Sequence, residues 1–146
     1  MEVNKPNTVE EWVKWDPVGM PKGDYIVTDF VQNAEGVKII LDDEENVIQI
    51  VFDGIPSIIR ISVEGLRMRT CREVLERYQD NLFFRNCFLF KIENSQLSKW
   101  AEEESCGFYK AEQFKHFCIV TTEEVIDIVA TFEPTIKVTD YQKPTQ

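Results

Sequence analysis

The chain has 146 residues, 43% hydrophobic and 12% aromatic, and its 26 Asp and Glu against 16 Lys and Arg give a formal net charge of -10. That length suits a single domain with one core, here a folded stretch from 8 to 139 between polar, proline-containing ends. The acid surplus argues against nucleic acid as a ligand, because such a surface repels phosphates. No run approaches the roughly 18 to 20 apolar residues of a membrane span, and the MEVNKPNTVEE start lacks the basic and apolar stretches of a secretory signal, so no membrane contact and a cytoplasmic location are expected.

In chain order, Thr8-Val9-Glu10-Glu11 is a capping box and predicts a short helix with Val9, Trp12 and Val13 on one face, ended by Asp16-Pro17. Strand-like runs follow at Tyr25 to Val31, Val37 to Leu41, Val47 to Phe52 and Ser57 to Val63. Between them lie Asn33 to Gly36, Asp42 to Asn46 and Asp53 to Pro56, all suited to antiparallel turns. The third and fourth runs carry apolar residues on both faces, which predicts central strands with one side against helices. Thr70-Cys71-Arg72-Glu73 is a second capping box, opening a helix with Cys71, Val74, Leu75 and Tyr78 inward.

Phe83 to Ile92 reads as a long strand and the spine of the sheet. Ser95 can cap a third helix bearing Leu97, Trp100 and Ala101 on one stripe, with Gly107 placed to end it. Phe117 to Thr121 and Thr135 to Val138 read as strands. Val125 to Thr131 fits either a strand or a helix with Val125, Ile128, Val129 and Phe132 aligned, and its β-branched content with the nearby Glu133-Pro134 favours the strand. The whole predicts an antiparallel α+β fold with about seven strands and three short helices.

Catalytic and metal-binding patterns are missing from the sequence. Cys71, Cys87, Cys106 and Cys118 form no C-x-x-C pair and read as reduced, mostly buried thiols. The single histidine, His116, has Cys118 two positions away on a predicted strand, roughly 6 to 7 Å apart, too far for a hydrolytic dyad. Together they supply only a fragment of a zinc site, so a structural or surface histidine is expected, with no catalytic residue, metal or cofactor.

The acids are grouped. Asp42, Asp43, Glu44 and Glu45 occupy a predicted hairpin turn, without the spacing of a calcium loop; Glu102, Glu103 and Glu104 follow Trp100; Glu123 and Glu124 sit in another turn. Solvated, solubilising surface is one reading of these clusters, and a patch that speeds encounter with a basic partner is the other. Trp100 is either core or, if exposed, an interface anchor.

Phe90-Lys91-Ile92-Glu93-Asn94-Ser95, Lys99-Trp100, and His116-Phe117-x-Ile119-x-Thr121 leading to Ile126-Asp127-Ile128 and Glu133-Pro134 carry a resemblance. About the C-terminal 60 residues resemble small bacterial immunity proteins encoded beside polymorphic or contact-dependent toxins. The resemblance implies a non-enzymatic protein that binds a toxin domain in the cytoplasm and blocks it, and it transfers neither catalytic residues nor a contact map. The leading expectation is an inhibitor of a basic toxin domain, such as a nuclease, with the acidic clusters and Trp100 as its interface. Two alternatives stay open: a small-molecule or enzymatic pocket near His116, and a scaffold or self-associating protein.

Overall fold

The computed structural model describes residues 9–140. Within them nine strands form two antiparallel sheets, joined by three α-helical segments, the α+β class expected. β1 (Glu11–Lys14), β6 (Leu89–Glu93), β7 (Lys115–Val120), β8 (Glu124–Ala130) and β5 (Ile58–Val63) make a five-stranded sheet in the order β1-β6-β7-β8-β5. β2 (Ile26–Asn33), β3 (Gly36–Asp42), β4 (Asn46–Phe52) and β9 (Thr135–Asp140) make a four-stranded sheet in that order.

The period-2 alternation of β7 and β8 decides how the layers stack. Phe117 and Ile119 of β7 and Ile126, Ile128 and Ala130 of β8 point toward the four-stranded sheet and pack with Ile39, Leu41, Ile48, Ile50 and Phe52. Their neighbours Cys118, Val120 and Val125 point the other way and pack with Trp12, Phe90 and Ile92 under the helical layer. That layer contains α1 (Met68–Tyr78) and α2 (Phe83–Asn86); α3 (Gln96–Glu104) sits beside the start of β7.

Several expectations are corrected. The predicted N-terminal helix is the strand β1; Thr8 of its capping box lies outside the described residues. β1 pairs with β6 in the register Trp12↔Ile92, and Trp12 is buried edge-on against Phe84 and Phe90 at 5.8 and 5.4 Å. A helix ending before Pro17 would span about two turns, too few to be stable alone, whereas pairing with β6 satisfies the same backbone groups and buries the indole.

The long strand from Phe83 is divided. Asp80 turns the chain by accepting from the Leu82 amide through Oδ1 and from the Phe83 amide through its carbonyl, and α2 makes one turn before β6. The turn lets Phe83 stack between Tyr78 and Phe90 at 4.9 and 5.1 Å while the adjacent Phe84 meets Trp12, an arrangement that alternation along a strand would prevent. The centre of the larger sheet is therefore β7, with β6 one place from the edge. β5, expected to be central, is an edge strand, and β4 packs its buried face against the other sheet rather than against helices.

α1 starts two residues before the predicted cap, running directly out of a 3-10 turn at Glu64–Arg67 without a side-chain cap, and it keeps the expected inward stripe around buried Val74. Val125 to Thr131 is a strand, as favoured, with β8 covering Glu124–Ala130. Cys118 is buried and Cys71 and Cys87 are half-buried free thiols, while Cys106 is exposed.

Trp12→Ala should destabilise the protein by about 3–5 kcal/mol by emptying the aromatic cluster that fastens β1. Val13→Ala, at an exposed position of the same strand, should change stability by less than about 0.5 kcal/mol. Urea denaturation of both variants checks this; a helix in this segment with Val9, Trp12 and Val13 inward would make the two losses comparable.

Candidate functional site

At the end of β6 the chain turns through Asn94, whose φ of +56° is in the left-handed region, and Ser95 follows as the N-cap of α3. Ser95 Oγ accepts a 3.1 Å hydrogen bond from the Ser98 amide, the capping role expected, and lies 2.7 Å from His116 Nδ1. The other ring nitrogen, His116 Nε2, lies 2.8 Å from Asp127 Oδ1. With an ionised Asp127 accepting at Nε2, the neutral ring carries its proton there, leaving Nδ1 to accept from the Ser95 hydroxyl.

Asp127 faces the helical side of β8, directly across from Arg60 in β5. Its Oδ2 receives Arg60 Nε at 2.9 Å and Nη2 at 2.8 Å, and Arg67 Nη1 from the 3-10 turn at 2.6 Å. Burial at 1% exposure raises the cost of the charge, but the hydrogen bond from His116 and the guanidiniums of Arg67 and Arg60 outweigh it and hold the carboxyl far below the usual carboxylate range. Serine, imidazole and carboxylate thus form one buried chain, with Ser95 at 6% and His116 at 4% exposure, and it ends on the half-buried Arg67 and the exposed Arg60.

Ser95 and His116 border a cavity of about 400 Å³ that is also lined by Ser98, Lys99, Glu112 and Phe114. The Ser98 hydroxyl is buried there without a hydrogen-bond partner among the described residues. On another wall Lys91 and Lys115 both donate to Glu133 Oε1, at 2.7 and 3.3 Å, and these hydrogen bonds lower the Glu133 carboxyl below its ordinary value.

The acidic clusters divide between two ends of the molecule. Asp42 and Asp43 cap their own turn, accepting from the amides of Glu44, Glu45 and Asn46. Burial, with Asp43 and Glu45 nearby, pushes the Tyr25 hydroxyl up to about 12. The carbonyl of the same Tyr25 accepts from the Thr122 amide, next to Glu123 and Glu124, so these two turns meet around one residue. Glu102, Glu103 and Glu104 lie apart from them on α3, which begins beside His116 at the opposite end of β7 from the Thr121–Glu124 turn.

On α3 the three glutamates differ. Glu102 Oε1 accepts from the Ala111 amide at 3.0 Å and ties down the returning loop. Glu103 and Glu104 are exposed, with no ion-pair partner among the described residues. Trp100, from the predicted inward stripe, is 51% exposed, while Ser98 is the fully buried residue of the helix. Phe108 at 80% and Tyr109 at 48% are also exposed on the turn leaving α3. An edge-on contact joins Phe108 to Tyr109 at 5.0 Å, and Tyr109 lies 6.0 Å from Phe114 at the cavity wall.

Sequence reasoning took Ser95 as a cap and His116 as a structural or surface residue, and did not join them to Asp127, Arg60 and Arg67; the structure buries His116 at 4% exposure. One signal was available: Asp127 interrupts the apolar run from Val125 to Ala130, and an acid in a buried strand needs partners. Compared with family models, curated proteins and solved structures, the chain has no match.

Asp127→Asn should cost about 3–5 kcal/mol, because two guanidiniums lose their shared counter-charge. Because the folded carboxyl lies below the unfolded value of about 4, the stability it contributes is present above that pH and is lost as pH falls toward the folded value. Urea midpoints measured from pH 7 to pH 3 should therefore fall steeply for the wild type and less steeply for Asp127→Asn; parallel profiles would show that Asp127 does not set the acid limb.

Proposed function

We propose that the protein is an inhibitor-type binding protein, as its resemblance to immunity proteins implies, acting in the cytoplasm on a cationic toxin domain such as a nuclease. The observation that carries this reading is the outer face of α3. Trp100, Phe108 and Tyr109 stand exposed on the helix and the turn leaving it, beside the exposed carboxylates of Glu103 and Glu104, which have no ion-pair partner among the described residues. Large aromatic side chains bury much area at low entropic cost and are the commonest energetic centres of protein interfaces. Leaving three of them in water on a protein that buries aromatics elsewhere fits a surface completed by a partner.

The acids set the sign of that partner. Glu103 and Glu104 beside the aromatics, and the joined turns around Tyr25 at the other end, attract a basic domain over distances longer than a contact and speed its arrival. Shape and aromatic contact then supply the residence time. This mode of action needs a stable surface and no chemical turnover.

Surface plasmon resonance with purified basic nuclease-toxin domains as analytes tests the reading. Glu103→Lys with Glu104→Lys should lower the association rate at least about 10-fold at low salt and flatten its salt dependence. Trp100→Ala should mainly raise the dissociation rate, by about 30-fold if the indole is a central contact worth about 2 kcal/mol. Reversing Glu45 and Glu123, which leaves the Asp42 and Asp43 turn caps in place, should affect association alone. Wild-type kinetics in both α3 variants would remove that face from the interface.

A further inference from the structure

We propose that Ser95 is an activated nucleophile and that the cavity beside it admits small acyl esters. This goes beyond the binding role and concerns the inner end of α3 rather than its outer face. Four features of the site carry it.

The first is the relay, with the serine hydroxyl at 2.7 Å from His116 Nδ1 and the opposite ring nitrogen at 2.8 Å from Asp127, so that the base is within reach of the nucleophile and is itself oriented by a carboxylate. The second is the position of Ser95 at the N-terminus of α3, where the Ser98 amide donates to Oγ and the helix dipole favours negative charge developing on that oxygen. The third is access, since Ser95 and His116 both line the cavity of about 400 Å³. The fourth is the Ser98 hydroxyl, 4% exposed as a residue, lining the same cavity and unpartnered among the described residues. Glu10 Oε2 already accepts from the Gln96 amide, and the Ser98 hydroxyl, shielded in the resting structure, becomes a neutral donor to an oxyanion when its side chain rotates toward the cavity.

In the reaction Ser95 Oγ bonds to the ester carbonyl carbon while its proton passes to His116 Nδ1. The carbon–oxygen bond to the leaving alcohol then breaks, and the leaving oxygen keeps the bonding electrons and takes that proton. Water attacks the acyl-serine by the same route, releasing a carboxylic acid and restoring the hydroxyl. Arg60 and Arg67 share the negative charge of Asp127, so His116 gains less support as an imidazolium than in a relay without guanidiniums, and the reaction is correspondingly slow. Asp127 touches neither ester nor nucleophile and is a positioning residue.

A fluorophosphonate probe tests the assignment: Oγ bonds to phosphorus, fluoride leaves with the phosphorus–fluorine electrons, and His116 accepts the serine proton. Intact-mass analysis of the folded full chain should show one adduct, mapped by peptide sequencing to Ser95. Ser95→Asn keeps a capping oxygen for α3 and should abolish the adduct. Ser98→Ala leaves Ser95 and His116 in place and should slow labelling about 10²-fold, the usual effect of losing one oxyanion donor. A folded wild type that stays unlabelled at Ser95, an adduct that persists in Ser95→Asn, or undiminished labelling in Ser98→Ala overturns the proposal.

Discussion

Asp127 carries a charge at 1% exposure in the middle of an apolar strand, and an ionised carboxylate at that depth persists only where donors converge on it. Arg60 brings β5 to it, Arg67 the 3-10 turn ahead of α1, and His116 the neighbouring strand β7; through His116 the chain continues to Ser95 and α3. Elements far apart in sequence are thereby held by one anion. Removing a single partner leaves a buried charge uncompensated, so the network behaves as a unit rather than as separate bonds.

The same carboxylate helps to set register. On β8 the residues facing the second sheet are Ile126, Ile128 and Ala130, and those facing the helices include Val125 and Asp127. A slip of one residue would turn every side chain to the opposite face and drive Asp127 into the dry layer between the sheets, away from Arg60 and His116. The apolar pattern alone specifies β8 weakly, because the strand is greasy on both sides. A polar residue with one acceptable location supplies the discrimination that hydrophobicity lacks.

That contrast explains what could be read from the sequence. β3 and β4 were legible because alternation and β-branched residues outweigh the other signals there, β8 because its β-branched content and the nearby Glu133-Pro134 tip the balance between strand and helix, and the Ser95 cap because it depends on residues three positions apart. β1 was misread because Val9, Trp12 and Val13 have helical spacing, and only the free edge of β6 makes a strand the better use of that backbone. The Phe83–Asn86 turn was hidden by an aromatic run whose preference depends on Tyr78 and Phe90 already being in place. The relay was harder still. Ser95, His116 and Asp127 meet through the β6 to α3 turn and the β7–β8 register, which are tertiary outcomes with no local spacing to announce them.

α3 shows how anchoring and display can be separated along one short helix. Its inward side is thin in apolar contact, with Ser98 the fully buried residue and Leu97 and Ala101 only half-buried. Polar bonds at its two ends supply much of the hold: Ser95 to His116 at the start, and Glu102 to the Ala111 amide near the finish. A helix fixed in this way keeps Trp100 and Glu103 in a defined orientation, which in the proposed binding role lowers the ordering cost of association. It also leaves the outward residues free of duties in the core. In the proposed binding role, substitutions at Trp100, Glu103, Glu104 or Phe108 change what the face recognises while the Asp127 network and the two apolar layers remain intact, because these side chains lie outside both.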